Sequence, residues 1–194
     1  MSSGFSETQI YNAVLDKLAE ESVLSTTDEK AVARWLNRNY PLQRDVLLQR
    51  HTWNFALARR MLAADSIKPE FEWSYAYTIP EDCIRVLPLT MDGKRNSPQI
   101  AFIVEGTKIL TNKSAPLPVR YIFRQTNTAL FTPVFVDLLA QILAANFSYW
   151  VTGKASFAKQ LLDVANVSFL EAARIDSLEG FPEEPDDNEI IMVR

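Results

Sequence analysis

Apolar residues recur at every third or fourth position near both ends of this 194-residue chain, and at every second position in its middle third. The first spacing lines one face of a helix and the second lines one face of a strand. A first helix is predicted from Ser6. Ser6 and Gln9 have the spacing of a capping box, and Ile10, Val14 and Leu18 follow at helical intervals. A second start falls at Thr26 or Thr27, with Glu29 near the first turn and Ala31, Trp35 and Leu36 on the buried face. Pro41 lacks a backbone donor and crowds the preceding turn, so a kink or restart is expected there. Leu42, Val46 and Leu47 then carry the apolar face to about Gln49.

The period shortens beyond that point. Trp53, Phe55 and Leu57 alternate with smaller or polar residues, and Trp73, Tyr75, Tyr77 and Ile79 alternate up to Pro80. Val86 to Leu89 reads as a short strand before a turn at Asp92-Gly93. Phe102 to Val104 and Lys108 to Leu110 flank Glu105-Gly106 as a hairpin, and Val119, Tyr121 and Phe123 alternate once more. Helical spacing returns at Thr132, a capping residue followed by Pro133 at the first helical position, and runs to Gly153. A last helix is predicted from about Ala155 to Ser177, with Gly180 beyond it. Each terminal helix has one apolar stripe to bury, so these helices must pack together. The expectation is an α+β fold: a helical bundle formed by N- and C-terminal helices, with a small antiparallel β-sheet inserted between them. The expected segments are residues 1–52 (N-terminal helices), 53–127 (β domain), 128–180 (C-terminal helices) and 181–194 (an acidic tail).

Charge changes this picture at one end. The net charge is −4, and residues 181–194 alone hold five acids against Arg194. The rest of the chain is therefore balanced, whereas a dedicated DNA-reading module normally presents a basic face. Four apolar residues, Ile190, Ile191, Met192 and Val193, follow the acids. Such a tip suits addition to a sheet edge or insertion between subunits, so Glu189 to Arg194 are the candidate docking residues. The single cysteine, Cys83, permits no intrachain disulfide, and the first residues have neither a basic nor an apolar block. The most apolar stretch, residues 134–151, is interrupted by Asp137, Gln141 and Asn146 and reads as a core helix. A soluble intracellular protein is expected.

Catalytic chemistry finds little support. His51 is the sole histidine, so neither a His-activated nucleophile nor a zinc site of several Cys and His ligands can be assembled. Five glycines form no phosphate-cradling loop. No catalytic, metal-binding or cofactor-binding residue is assigned. Arg34, Arg38, Arg44, Arg50, Arg59 and Arg60 crowd into one short span, and Arg34 and Arg38 share a helix face. They read either as a solvated face paired with Asp45 and Glu29 or as a contact surface. Arg34, Arg38 and Arg44 are the candidates for meeting a neighbouring subunit or DNA.

Several stretches in order resemble one family. Residues 40–63, YPLQRDVLLQRHTWNFALARRMLA, look like the helix-to-strand segment of phage tail tubular protein A. YAYTIPEDCIRVLPL (75–89) is similar to that family's tyrosine strand and Pro-x-Asp-Cys turn. FIVEGTKILTN (102–112) resembles its hairpin, and residues 116–153 its next strand and helix. The resemblance runs from about residue 10 to the C-terminus. It implies a non-enzymatic head-to-tail adaptor of tailed phages, with a helical bundle carrying a small β domain. The implied assembly is a ring, typically of twelve subunits, between portal protein and tail nozzle protein. Viral DNA would pass through its lumen with only non-specific contact, and neither a cofactor nor a membrane is involved. The implied location is the neck of the virion, and the host cytoplasm during assembly. The chain departs from the family where Ile190, Ile191 and Met192 stand in place of a tryptophan near the terminal Arg, and where Ile79 replaces leucine before Pro80. The alternative reading is a non-enzymatic DNA-binding protein that uses the Arg-rich helices.

Overall fold

The computed structural model describes residues 4–153 and 155–179. Among these residues, α1 (Glu7–Asp16) and α2 (Ala31–Arg50) precede six strands: β1 (Leu57–Leu62), β2 (Tyr75–Thr78), β3 (Cys83–Val86), β4 (Phe102–Glu105), β5 (Lys108–Thr111) and β6 (Leu117–Phe123). Two helices follow, α3 (Pro133–Thr152) and α4 (Ala155–Leu178). The expected α+β class holds. The expectation of one sheet does not: the strands form two three-stranded antiparallel sheets, ordered β1-β6-β3 and β2-β5-β4.

The reason lies in β6, which is covered on both faces. Leu117, Val119 and Tyr121 are buried with Tyr77, Leu89 and Ile109 between the two sheets. Ile122, one position on, is buried among the helices. Alternation along a strand reports which residues share a face, and it is silent about what covers the second face.

Several local expectations are met by specific bonds. Ser6 Oγ accepts from the Gln9 amide at 3.2 Å, and Gln9 Oε1 accepts from the Ser6 amide at 2.8 Å, which completes the capping box. Thr132 caps α3, and Gly153 ends it at φ 63°, a left-handed conformation that costs glycine little. Gly106, at φ 56°, turns the β4–β5 hairpin.

Four local expectations change. α2 begins at Ala31 rather than at Thr26 or Thr27. Ser25 Oγ bonds the Thr27 amide and Asp28 Oδ1 accepts from the Lys30 amide, and such side-chain bonds hold the backbone in turns that compete with a helix. α2 also runs unbroken through Pro41. That residue lies on the exposed side, where the carbonyl that loses its donor can turn to water. Nor is Trp53 to Leu57 a strand. A 3-10 turn spans Asn54–Ala56, and β1 starts at Leu57. The Trp53 indole donates to the Leu47 carbonyl at 2.9 Å, folding the chain back over the end of α2. The alternation of Trp53 and Phe55 reflects packing on one ring: their centroids lie 5.1 and 5.0 Å from that of Phe135, both edge-on. The strand expected at Val86 to Leu89 sits earlier, at Cys83–Val86, because Pro88 cannot continue the ladder.

α3 is the element around which the helices gather, since α1, α2 and α4 all pack against it. It is long and apolar enough to cross a membrane, but 61% of its most apolar window is buried in the protein, as a core helix requires. α4 meets α3 through short residues. Ala158, Ala165 and Ala172 are buried at intervals of seven, which brings the two backbones close. Leucine at position 165 would have to force that contact apart. We expect Ala165→Leu to lower the unfolding free energy by about 1–3 kcal/mol, read from the midpoint of urea denaturation at unchanged slope.

Candidate interaction surfaces

Where α2 ends, His51 and Asn54 turn toward α4. His51 Nε2 lies 3.2 Å from Asp176 Oδ2, and the Asn54 amide donates to the same carboxylate at 3.2 Å. The Asn54 side chain returns a bond to the Asp176 carbonyl at 2.6 Å. Asp176 is 95% buried, since only 5% of it is exposed. The neighbouring Ser177 hydroxyl donates to the Ala173 carbonyl rather than to this pair. No group of three or more His, Cys, Asp or Glu among the described residues could hold a metal ion. Cys83 is half-buried, and burial followed by the Asp82 charge pushes its thiol up to about 11. That shift opposes thiolate formation and so leaves the thiol a poor nucleophile.

The arginines expected to meet a partner separate into two kinds. Arg34 and Arg38 are exposed on α2; Arg34 donates to the Glu29 carbonyl, and no bond or ion pair among the described residues engages Arg38. Arg44 is buried. It donates twice to Asp45 at 2.8–2.9 Å, and its guanidinium lies 5.8 Å from the centre of the Tyr40 ring. Asp45 in turn accepts from Arg124 at 2.7 Å. Arg44 is thus consumed inside the fold and offers no surface. The docking residues Glu189 to Arg194 lie outside the described residues.

A cationic groove on the first sheet is a larger feature. In β1, Leu57, Arg59 and Met61 share one face; in β6, Ile122, Arg120 and Pro118 are their partners in register. Ile122 is buried among the helices and Leu57 packs against the same core, but the next pair along sets Arg59 directly opposite Arg120. Like charges opposed across a ladder destabilise it. Lys94 and Arg95 close the same cavity of about 780 Å³, whose one acid is Asp92. Asp92 is turned to its own loop: a hydrogen bond from Ser97, then one from the Lys94 amide, hold its carboxyl below the usual range. Burial, then Arg95 and Arg59, push the Arg120 guanidinium down. No ion pair among the described residues involves Arg59, Lys94, Arg95 or Arg120.

α4 provides an apolar surface as well. Phe157, Val164, Val167, Ile175 and Leu178 recur at helical spacing, turned roughly a third of a revolution from the alanines. All are exposed, Val167 by 69% and Leu178 by 70%. Tyr149, Trp150 and Val151, at the end of α3, are exposed too. Neither a scan against protein-family models nor a search of curated proteins finds a match for the chain.

Asp176 joins α4 to the helix-to-strand junction by hydrogen bonds, beside the contacts of Phe169 with Trp53 and Arg50. Replacing Asp176 with alanine would leave the Asn54 amide without its acceptor in this part-buried junction. We expect Asp176→Ala to cost about 2 kcal/mol of stability, measured by denaturant unfolding, with the far-ultraviolet circular dichroism of the folded state retained.

Proposed function

We propose that this chain is a structural virion protein: a head-to-tail adaptor that assembles as a ring, of about twelve copies in the family it resembles, between a portal protein and a tail nozzle protein. The order of the motifs in residues 40–153 suggests the family. The observation that carries the reading further is the second apolar stripe of α4. A helix with one stripe against its own core and another facing water has a surface to place against a partner. A closed ring needs such a surface, because each copy must meet the next through two different patches. The exposed Arg34 and Arg38 supply a polar face on α2 suited to an acidic neighbour.

In this reading the lumen passes viral DNA by loose electrostatic contact, the localisation is the virion neck, and no reaction is catalysed. The balanced charge of residues 1–180 supports weak and non-specific contact with the duplex. The DNA-binding alternative would need tight, salt-dependent binding of free duplex by the α2 arginines. The burial of Arg44 removes one of its three candidates.

Electron microscopy of the purified protein mixed with the portal protein of the same phage tests the assignment. Stacked rings are expected, and the Val164→Glu/Val167→Glu variant should stay folded but form none. Rings undiminished by that variant would remove α4 as the contact. A chain lacking residues 188–194 should keep its thermal midpoint and lose most of its attachment to the portal in a co-sedimentation assay. Normal attachment would sink the role of the tail.

A further inference from the structure

The basic groove lies beside the end of α4, the last helix before the acidic stretch of the sequence. α4 ends at Leu178, and its last turn, Asp176 and Ser177, lines a second cavity together with Arg95 and Arg120. Those two arginines are also walls of the larger groove. The chain therefore leaves α4 beside a cluster of cations that has no ion-pair partner among the described residues. Three residues separate Glu179 from Glu183, so four chain steps give a reach of at most about 14 Å. The following run, Glu183 to Glu189, holds five acids and no base. The excess negative charge of the whole sequence thus begins within a few residues of the end of α4, which itself lies beside Arg95 and Arg120.

We propose that the groove bounded by Arg59, Lys94, Arg95 and Arg120 is a carboxylate-binding site whose occupant is the acidic segment Glu183–Glu189 of the same chain. Guanidinium groups present paired N–H donors that match a carboxylate. Neutralising Arg59 and Arg120 together removes the repulsion that their register imposes. Tethering raises the segment's effective concentration far above that of any free competitor. With the acids held, the four apolar residues that follow are presented at a fixed place for a partner. The site stands on the groove and the charge distribution alone, independently of the adaptor assignment.

Duplex DNA is the competing polyanion. The groove favours a peptide because its cations converge within one concave cavity, whereas a duplex is contacted along an extended basic surface. Carbodiimide coupling of the full-length protein separates the two. This reagent joins a carboxylate to an amine only when they touch, and Lys94 supplies the amine inside the groove. After digestion, mass spectrometry should find the acidic segment joined to Lys94 at least fivefold more than to the exposed Lys68 or Lys159. The yield should fall several-fold in 0.5 M salt, an effect expected of charge pairing on the scale of a few-ångström Debye length. It should also fall in Arg59→Gln/Arg120→Gln, while Arg59→Lys/Arg120→Lys, which keeps the charge, should retain most of it. In a mixture of isotopically light and heavy protein, the joined peptides should come from one chain.

Coupling spread over lysines in proportion to their exposure would overturn the proposal. So would coupling found only between light and heavy chains. Binding of a 20-base-pair duplex that the glutamine variant loses, with no Lys94 coupling, would assign the groove to nucleic acid instead. These outcomes leave ring formation with the portal a separate question.

Discussion

Asp176 accepts hydrogen bonds from His51 and from the amide of Asn54, where α2 gives way to the first sheet. A carboxylate this deeply buried is tolerable only because each of its contacts is answered. It joins residues more than 120 positions apart, and in doing so ties α4 to the start of β1. The Trp53 ring, edge-on to His51 and to Phe135, fills the space behind it. The strands that follow take their position from this junction. The pairing of β1 with β6 then decides which residues lie under the helices and which emerge beyond them.

That pairing separates the two parts of the first sheet's helix-side face. Leu57 and Ile122 meet the helical core; Arg59 and Arg120, one step along the same face, reach past it. Nothing in the local chemistry of β1 demands an arginine at 59. Beyond the edge of the helical layer, apolar residues would have no cover and charged ones meet water. The cationic groove therefore arises where a two-sided sheet outruns the helices that cover one of its sides.

Much of the fold is legible in the sequence where a feature depends on neighbours in the chain. The Ser6–Gln9 cap, the Gly106 hairpin and the Thr132–Gly153 limits of α3 rest on bonds within a few residues, and all appear as expected. The misreadings arise where distant groups compete. Thr26 and Thr27 look like helix starts, but their turn is held by its own side chains and by Asn37, which reaches back to the Thr26 carbonyl. Trp53 and Phe55 alternate like a strand because both face Phe135. The candidate surfaces divide in the same way. Helical spacing suffices to set Arg34 and Arg38 on one face. The opposition of Arg59 and Arg120 depends on a register between strands some sixty residues apart, and the burial of Arg44 on the ring of Tyr40. Neither is written in any short stretch.

The alanines of α4 have a consequence for where that helix comes to rest. Three identical small residues spaced by seven offer α3 the same profile at each repeat. A slide of seven residues, about 10 Å along the axis, would lay alanine where alanine had been. Short side chains govern how near the two helices approach, but they interlock too shallowly to distinguish one offset from the next. Asp176 and Phe169 make that distinction, because only one offset brings the carboxylate to His51 and Asn54 and the ring to Trp53 and Arg50. The end of the helix is thus a latch on a rail of repeated alanines.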